Sequence, residues 1–189
     1  MAEVALIGGS FDPPHVSHVF AACYLATLGK FDSVYIIPVA KHAHGKELTP
    51  HHMRYEMCRL SMEWIPKTHV SDIEKQLLNM PNHPDVNYSY HTIKALKELH
   101  PDWNIHFTVG ADVASQISSW AFGDELLKIS KPFILGRHGY EHENMAVLPN
   151  ISSTEIRNSF AEDPEHKIAK TYLPNPVYDY IIKNNLYIK

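Results

Sequence analysis

Two histidines stand three residues apart at the start of a predicted helix, directly after an apolar run and two glycines. The run covers residues 4–7 and ends at Gly8-Gly9, and His15 and His18 follow the turn. Such a helix start favours an anion, through its backbone N–H groups and the helix dipole. Two imidazoles on one helix face can donate to phosphate oxygens. Residue chemistry favours a phosphate site over two alternatives, a turn with incidental histidines and a weak metal pair.

A second pattern of this kind lies nearer the C-terminus. Residues 152–154 are Ser-Ser-Thr and open a predicted helix, so hydroxyls and N–H groups meet at its start. Arg157 follows one turn later and can reach the same anion with a fixed charge and a forked set of donors. The alternative is a helix with a capping box at Ser152 and Glu155 and a surface arginine.

Two further residues could contact a nucleotide. Asp112 follows Gly110 at the end of a predicted strand, where it could accept from a ribose hydroxyl, hold a hydrated Mg²⁺ or cap a helix. Trp120 lies in a polar loop and could stack on an aromatic ring or pack in the core.

Strands and helices alternate along the chain, which predicts a single α/β domain over residues 1–189. We expect a Rossmann-like, doubly wound parallel sheet with helices on both faces. In such sheets ligands bind beyond the carboxyl ends of the strands, so the candidate segments should converge there. The predicted strands and helices are strands 4–7, 33–39, 69–73, 105–109 and 132–135, and helices at 16–28, from 50, 90–99, 124–129, from 153 and 176–184.

Composition narrows the function classes. The net charge of −4 argues against a nucleic-acid surface. No apolar run reaches the roughly 20 residues of a membrane-spanning helix, and the N-terminus lacks the basic region of a signal peptide. Cys23 and Cys58 are too few for a disulfide framework and read as free thiols, which predicts a cytoplasmic location.

Six segments, taken in order, resemble the signatures of the nicotinate/nicotinamide mononucleotide adenylyltransferases, a family of the nucleotidyltransferase superfamily. G-G-S-F-D-P-P-H-V-S-H at 8–18 resembles G-G-x-F-D-P-x-H-x-G-H, and I-S-S-T-E-I-R at 151–157 resembles I-S-S-T-x-I-R. The other four segments are 52–57 (R-x-x-M), 90–96 (S-Y-T-I-x-x-L), 110–120 (G-A-D…W) and 173–181 (L-P-x-x-V-x-x-Y-I), the last followed by Leu186-Tyr187. Together they span nearly the whole chain.

The resemblance implies transfer of AMP from ATP to nicotinate mononucleotide, or to nicotinamide mononucleotide, with release of pyrophosphate. Nicotinate is favoured because the motif set and chain length resemble the bacterial enzymes. It also implies Mg²⁺ held mainly by substrate phosphates and water, and a part of about 151–189 that completes the ATP site. No protein metal site, nucleic acid or membrane is expected, and a homo-oligomer is compatible with it. The alternatives are a sibling enzyme with a phosphopantetheine or phospho-alcohol acceptor, and a non-catalytic nucleotide sensor.

The resemblance also assigns residues. His15, His18, Arg157 and Lys46 are the expected catalytic groups. The expected ATP contacts are Gly8, Gly9, Ser10, Phe11, His15, His18, Gly110, Asp112, Ile151, Ser152, Ser153, Thr154 and Arg157. The expected mononucleotide contacts are Ser10, Phe11, Lys46, Thr92, Asp112 and Trp120, with the pyridine ring stacked on Trp120.

Two positions depart from the family pattern. Ser17 stands where the family has glycine, which adds a small side chain near the adenosine. The loop 41–46 lacks the usual P-P-H-K, so Lys46 is predicted to meet the acceptor phosphate and Lys41 is the second choice. A metal pair at His42 and His44 and a solvated loop are the alternatives for this segment.

Overall fold

A parallel sheet forms the centre of the computed structural model, which describes residues 1–43, 45–81, 83–137, 139 and 146–188. The six strands of this described part lie in the order β3-β2-β1-β4-β5-β6, and each pairs with its neighbour in parallel. The strands are β1 (Ala2–Gly9), β2 (Ser33–Pro38), β3 (Thr68–Val70), β4 (Trp103–Gly110), β5 (Lys131–Arg137) and β6 (Val147–Leu148). The prediction of a doubly wound parallel sheet is confirmed.

Helices connect the strands and cover both faces of the sheet. They are α1 (Val16–Thr27), α2 (His51–Met62), α3 (Ile73–Leu78), α4 (Ser89–Leu99), α5 (Ala111–Ala114), α6 (Gly123–Ile129), α7 (Ser153–Glu162), α8 (Lys167–Tyr172) and α9 (Asn175–Lys183), with a short 3₁₀ helix at Ile117–Ser119. No helix in the described ranges is long and apolar enough to cross a membrane.

Strand β1 shows why the sheet is buried on both sides. Its side chains alternate, as in any strand, so Ala5 and Ile7 join a core with α1 and α2. Val4 and Leu6 point the other way and join a second core with α3, α4 and α6. A strand buried on both faces reads as a continuous apolar run, which is the pattern of residues 4–7.

A third apolar cluster attaches the C-terminal helices to the sheet domain. Met57 of α2 packs with Ile156 and Phe160 of α7 and with Val177 and Ile181 of α9, and all five are buried. This packing holds the start of α7 close to the start of α1, so the two predicted anion-binding segments meet.

The N-terminal cap predicted for α2 is wrong by one residue. The sequence suggests Thr49 as cap and Pro50 as first helical residue, whereas the helix begins at His51 and Pro50 takes the cap position with extended backbone (φ −46°, ψ 137°). The backbone of Thr49 is engaged elsewhere: its N–H donates to Asp12 and its carbonyl accepts from Arg54.

The apolar spacing in the sequence aligns Trp64 with Met57 on one helix face and Leu99 with Ile93 and Leu96 on another, but Trp64 and Leu99 are exposed. Trp64 lies beyond the end of α2 and is 67% exposed, and Leu99 at the end of α4 is 62% exposed. In an α-helix each step of three residues falls about 60° short of a full turn. After two such steps from Ile93, Leu99 no longer lies on the face that buries Ile93 and Leu96.

Some elements were not predicted from the sequence. The strand expected at 69–73 ends at Val70, and Ile73 begins α3 instead. The helices α5 and α8 and the short β6 carry too few residues for a periodic pattern. Both cysteines are free, as predicted, with Cys58 buried and Cys23 partly buried.

Candidate active site

A cavity of about 550 Å³ opens at the carboxyl ends of the central strands. Here β1 lies between β2 and β4, the switch point where open α/β sheets bind ligands. Its volume is typical of small-molecule sites. The predicted contact residues Gly8, Gly9, Ser10, Thr92 and Trp120 all line it. A Cβ added at Gly8 would meet nothing within 4 Å, so this glycine widens the cavity floor.

The two histidines of the first motif form a close, tilted ring pair at the start of α1. Their ring centroids are 3.9 Å apart, and the His15 N–H donates to Nδ1 of His18 at 3.1 Å. An accepting Nδ1 carries no proton, so neutral His18 is the tautomer with its proton on Nε2. The backbone therefore orients His18 as an Nε2–H donor.

Phe11 supports this turn from below. Its side chain is buried in the first core and its backbone has a positive φ of 46°. The centroid of its ring lies 4.9 Å from that of His18, in an edge-on arrangement. A Cβ on Gly9 would lie 3.3 Å from the same ring. The Phe11 side chain, predicted to contact both substrates, thus packs beneath the loop and not along the cavity wall.

The segment 151–157 reaches the histidine turn through hydrogen bonds. Arg157 donates from Nη1 to the Asp12 carbonyl at 2.6 Å and from Nη2 to Thr154 Oγ1 at 3.2 Å. Ser153 Oγ donates to the Pro13 carbonyl at 2.9 Å. The two segments therefore form adjacent walls, as predicted, and Arg157 keeps N–H groups beyond these two bonds.

The predicted capping box of α7 is not formed. Ser152 occupies the cap position, but its side chain makes no capping hydrogen bond, and Glu155 is exposed. Ile151 is buried in the third cluster. In this segment it is the hydroxyl of Ser153 that donates a hydrogen bond, and its acceptor is the Pro13 carbonyl in the histidine turn.

Arg54 organises the rim of the site from beneath. Its guanidinium, 1% exposed, donates to three carbonyls: Ser10 at 2.8 Å, Val39 at 2.7 Å and Thr49 at 2.7 Å. These carbonyls belong to the turn after β1, the end of β2 and the start of α2. Burial lowers the pKa of Arg54, and the Asp12 carboxylate opposes this effect.

A buried polar network forms one wall of the cavity. Glu74 accepts from the Ala40 N–H at 3.0 Å and from the Thr92 hydroxyl at 3.1 Å, and Asn87 donates to that hydroxyl at 2.6 Å. Burial raises the pKa of Glu74, and these donors oppose the effect. The hydroxyl of Thr92 is thus engaged inside the wall. Ser89, the first residue of α4, also lines the cavity.

The structure places the two candidate lysines of the loop after β2 differently with respect to the cavity. Lys41 lines the cavity, together with His42 and Ala43. Lys46 is exposed and is not part of the lining. Residues 41–43 line the cavity and the described residues 45–49 do not, so the lysine nearer to β2 faces the site. The alternative His42/His44 metal pair includes His44, which lies outside the described residues.

Asp112 lies beside the cavity and not in its lining. It belongs to the first turn of α5, and its Oδ1 occupies the space that a Cβ at Gly110 would need. The described residues contain no group of three His, Cys, Asp or Glu side chains that could hold a metal ion.

Comparison with known proteins agrees with this geometry. The family described as Cytidylyltransferase-like matches residues 6–159. A probable nicotinate-nucleotide adenylyltransferase of Anaeromyxobacter dehalogenans (strain 2CP-C) is 36% identical, with 98% of this chain and 96% of that protein covered. A probable nicotinate-nucleotide adenylyltransferase of Clostridium botulinum (strain Loch Maree / Type A3) is 31% identical, with 99% and 100% covered.

The chain belongs to the nicotinate-nucleotide adenylyltransferase family.

A solved structure shows the same fold. The Plasmodium falciparum nicotinic acid mononucleotide adenylyltransferase complexed with NaAD superposes with a TM-score of 0.80, and 99% of this chain and 98% of that chain are covered. The two sequences are 24% identical, so this similarity is evidence of a shared fold alone.

The departure from the family pattern at Ser17 has a local explanation. Ser17 is helical and buried in α1, and its hydroxyl donates to the Pro149 carbonyl at 3.1 Å. The extra side chain of this adenylyltransferase thus ties α1 to the segment before α7.

Arg54, Glu74 and Asn87 were not among the predicted site residues. A sequence signal existed for Arg54, which falls in the segment resembling the family's R-x-x-M helix. None existed for Glu74 or Asn87, because a lone acid at the start of an unpredicted helix and an amide in a polar loop look like surface residues.

We expect Arg54→Lys to lower the free energy of unfolding by about 2 kcal/mol or more. A single ammonium cannot reach three carbonyls, and each buried carbonyl left without a donor costs about 1–3 kcal/mol. Urea unfolding followed by circular dichroism measures the effect. Arg59→Lys is the control, because Arg59 lies on the same helix but pairs with Glu56 and Glu63 at the surface. Equal midpoints for the two variants would contradict the role given to Arg54.

Proposed function

We propose that this adenylyltransferase moves AMP from ATP to nicotinate mononucleotide, giving nicotinate adenine dinucleotide and pyrophosphate in NAD biosynthesis. The observation that carries the proposal is the junction of two half-sites at the switch point. The His15/His18 turn with α7 offers donors to a polyphosphate, and the adjoining cavity has room for a mononucleotide. The names of the relatives in Anaeromyxobacter and Clostridium support the acceptor.

The reaction needs positioning and charge neutralisation, and no protein nucleophile. An oxygen of the acceptor 5′-phosphate attacks the α-phosphorus of ATP in line, and the bond from that phosphorus to the bridging oxygen breaks as pyrophosphate leaves. We assign the Nε2–H of His18 to a phosphate oxygen on which charge grows. His15 and the remaining N–H groups of Arg157 face the other phosphates.

We further propose Mg²⁺ as the metal, held mainly by the phosphates and water. The residues fit this arrangement, because the described carboxylates and imidazoles do not gather into a protein cage, and Mg²⁺ commonly keeps its waters and binds through substrate phosphates. When bound, it neutralises polyphosphate charge.

The cavity wall supports an acceptor that carries a carboxylate. The first residues of α4 line it at Ser89, and N–H groups at a helix start favour an anion. Trp120 also lines the cavity, and we propose that the pyridine stacks on its indole ring. Lys41 lies at the mouth near the end of β2, where it can meet the acceptor phosphate.

We also propose a cytoplasmic location, which the two free thiols support.

The acceptor is tested by comparing mononucleotides. With ATP and Mg²⁺, we expect kcat/KM for nicotinate mononucleotide to exceed that for nicotinamide mononucleotide at least tenfold, because the helix start favours a charged group over a neutral amide. Pyrophosphate release is the readout. Equal kcat/KM values for the two mononucleotides would contradict the proposed preference for a carboxylate. Release only with phosphopantetheine or a phospho-alcohol would point to a sibling enzyme, and tight ATP binding without release would point to a nucleotide sensor.

His18→Ala is expected to lower kcat about 100-fold or more, the usual effect of removing a donor aimed at a transition-state oxygen. The control is His52→Ala, since His52 is an exposed histidine on α2. A fall below tenfold in a variant with unchanged thermal unfolding would show that His18 is not such a donor.

Lys41→Ala is expected to raise KM for the mononucleotide about tenfold, through loss of one charged contact to its phosphate. Lys46→Ala should leave KM within twofold, because this lysine is exposed outside the cavity lining. Steady-state kinetics at saturating ATP separates the two, and the opposite pattern would restore Lys46 as the phosphate contact.

A further inference from the structure

The C-terminal tail reaches the histidine turn through one tyrosine. The hydroxyl of Tyr187 donates to Oδ1 of Asp12 at 2.6 Å, and the Thr49 N–H donates to the other carboxylate oxygen at 3.3 Å. Asp12 is 3% exposed and precedes His15 by three residues. A buried carboxylate needs such donors on both oxygens, because an unpaired charge is costly away from water.

The fold of the tail places this hydroxyl next to Asp12. After α9 the chain turns back, with the Leu186 N–H bonded to the Ile181 carbonyl at 3.0 Å. Asn185 and Tyr187 both have positive φ, of 50° and 63°. A bulky side chain in this region is an outlier that surrounding contacts must maintain. One of these contacts is with Phe160, whose ring centroid lies 6.0 Å from that of Tyr187.

The hydroxyl is a permanent donor in this setting. Burial and the charge of Asp12 both raise the pKa of Tyr187 well above its ordinary value. Tyr187 therefore keeps its proton, and its hydrogen bond to Asp12, throughout the neutral and mildly alkaline range.

Three side chains from the C-terminal part thus meet residues 12 and 13 of the turn. Arg157 and Ser153 bind the backbone carbonyls of Asp12 and Pro13, and Tyr187 binds the Asp12 carboxylate. Of these three contacts, only that of Tyr187 reaches the Asp12 carboxylate. Together with the Thr49 N–H on the other oxygen, it fixes the orientation of the Asp12 side chain.

We propose that Tyr187 is a positioning residue for the ATP half of the site, which it serves by holding Asp12 and thereby the turn that carries His15 and His18. The inference rests on the proposed function for its catalytic consequence. Its structural consequence, a turn stabilised by the tail, is independent of any substrate.

The kinetic test compares Tyr187→Phe with Tyr178→Phe. The first change removes only the hydroxyl bonded to Asp12. The second removes the hydroxyl that lies 3.2 Å from His166, in the same C-terminal part but away from the turn. For Tyr187→Phe we expect KM for ATP to rise about tenfold and KM for the mononucleotide to stay within twofold. For Tyr178→Phe both should stay within twofold. Equal increases for both substrates, or none for ATP, would overturn the proposal.

Hydrogen exchange of the full-length protein without substrate gives an independent test. The amides of His15, His18 and Val19 are hydrogen-bonded within the turn and the first turn of α1. In Tyr187→Phe their peptide should exchange at least tenfold faster, while a peptide from α4 should keep its wild-type rate. Unchanged exchange of the first peptide would overturn the proposal. A wild-type protein that makes no dinucleotide would count against the proposed function alone, because this measurement requires no activity.

Discussion

The buried guanidinium of Arg54 is the interaction on which the site depends. Three separate backbone segments bind this one group, through the carbonyls of Ser10, Val39 and Thr49. Each segment carries part of the rim, so the rim exists as a unit only while all three carbonyls are bound. A guanidinium suits this position because its planar fork offers several donors in fixed directions, whereas an ammonium is a compact charge on a flexible stem. A buried charge is costly unless it is hydrogen-bonded and balanced. The carbonyls supply the bonds, and the nearby carboxylate of Asp12 supplies opposite charge.

Asp12 connects this centre to the C-terminal helices. Its carboxylate interacts electrostatically with Arg54 and accepts hydrogen bonds from Tyr187 and Thr49. Its backbone carbonyl accepts a hydrogen bond from Arg157. The histidine turn is therefore held between the sheet domain and the C-terminal part, and the apolar cluster around Met57 keeps those two bodies together. Polar contacts set the orientation of the imidazoles, and apolar packing sets the distance between the two parts. The hydrogen-bond donors that would bind ATP therefore need little rearrangement. Such preorganisation is the main resource of enzymes that transfer phosphoryl-type groups without a protein nucleophile.

The acceptor side has a different character. Glu74 lies in the wall with both oxygens bonded, to the Ala40 N–H and the Thr92 hydroxyl, and Asn87 extends the network. These bonds engage the Glu74 carboxylate and the Thr92 hydroxyl inside the wall. The lining also includes Ser89 at the start of α4, Trp120 and Lys41. Their charge and shape suit an anionic aromatic mononucleotide.

The sequence by itself determined the class of fold and the identity of the chemical segments. The apolar run at 4–7 and the alternation of strands with helices predicted the parallel sheet, since both patterns follow from local periodicity. His15, His18 and the segment 151–157 were recognisable because their residue types are unusual for a structural turn and resemble a family signature. What depends on distant contacts was decided only by the tertiary structure. Whether Lys41 or Lys46 meets the cavity depends on where the loop leaves β2, and Leu99 was misassigned because a small error in helical phase grows with each turn. Arg54 and Tyr187 fall in segments that resemble family signatures and Glu74 falls in none, but no local pattern identifies their partners. The partners of Arg54 lie 5 to 44 residues away, those of Glu74 lie 18 to 34 residues away, and that of Tyr187 lies 175 residues away. A single sequence records which donors and acceptors a chain contains, and folding alone decides which of them are buried together and must therefore pair.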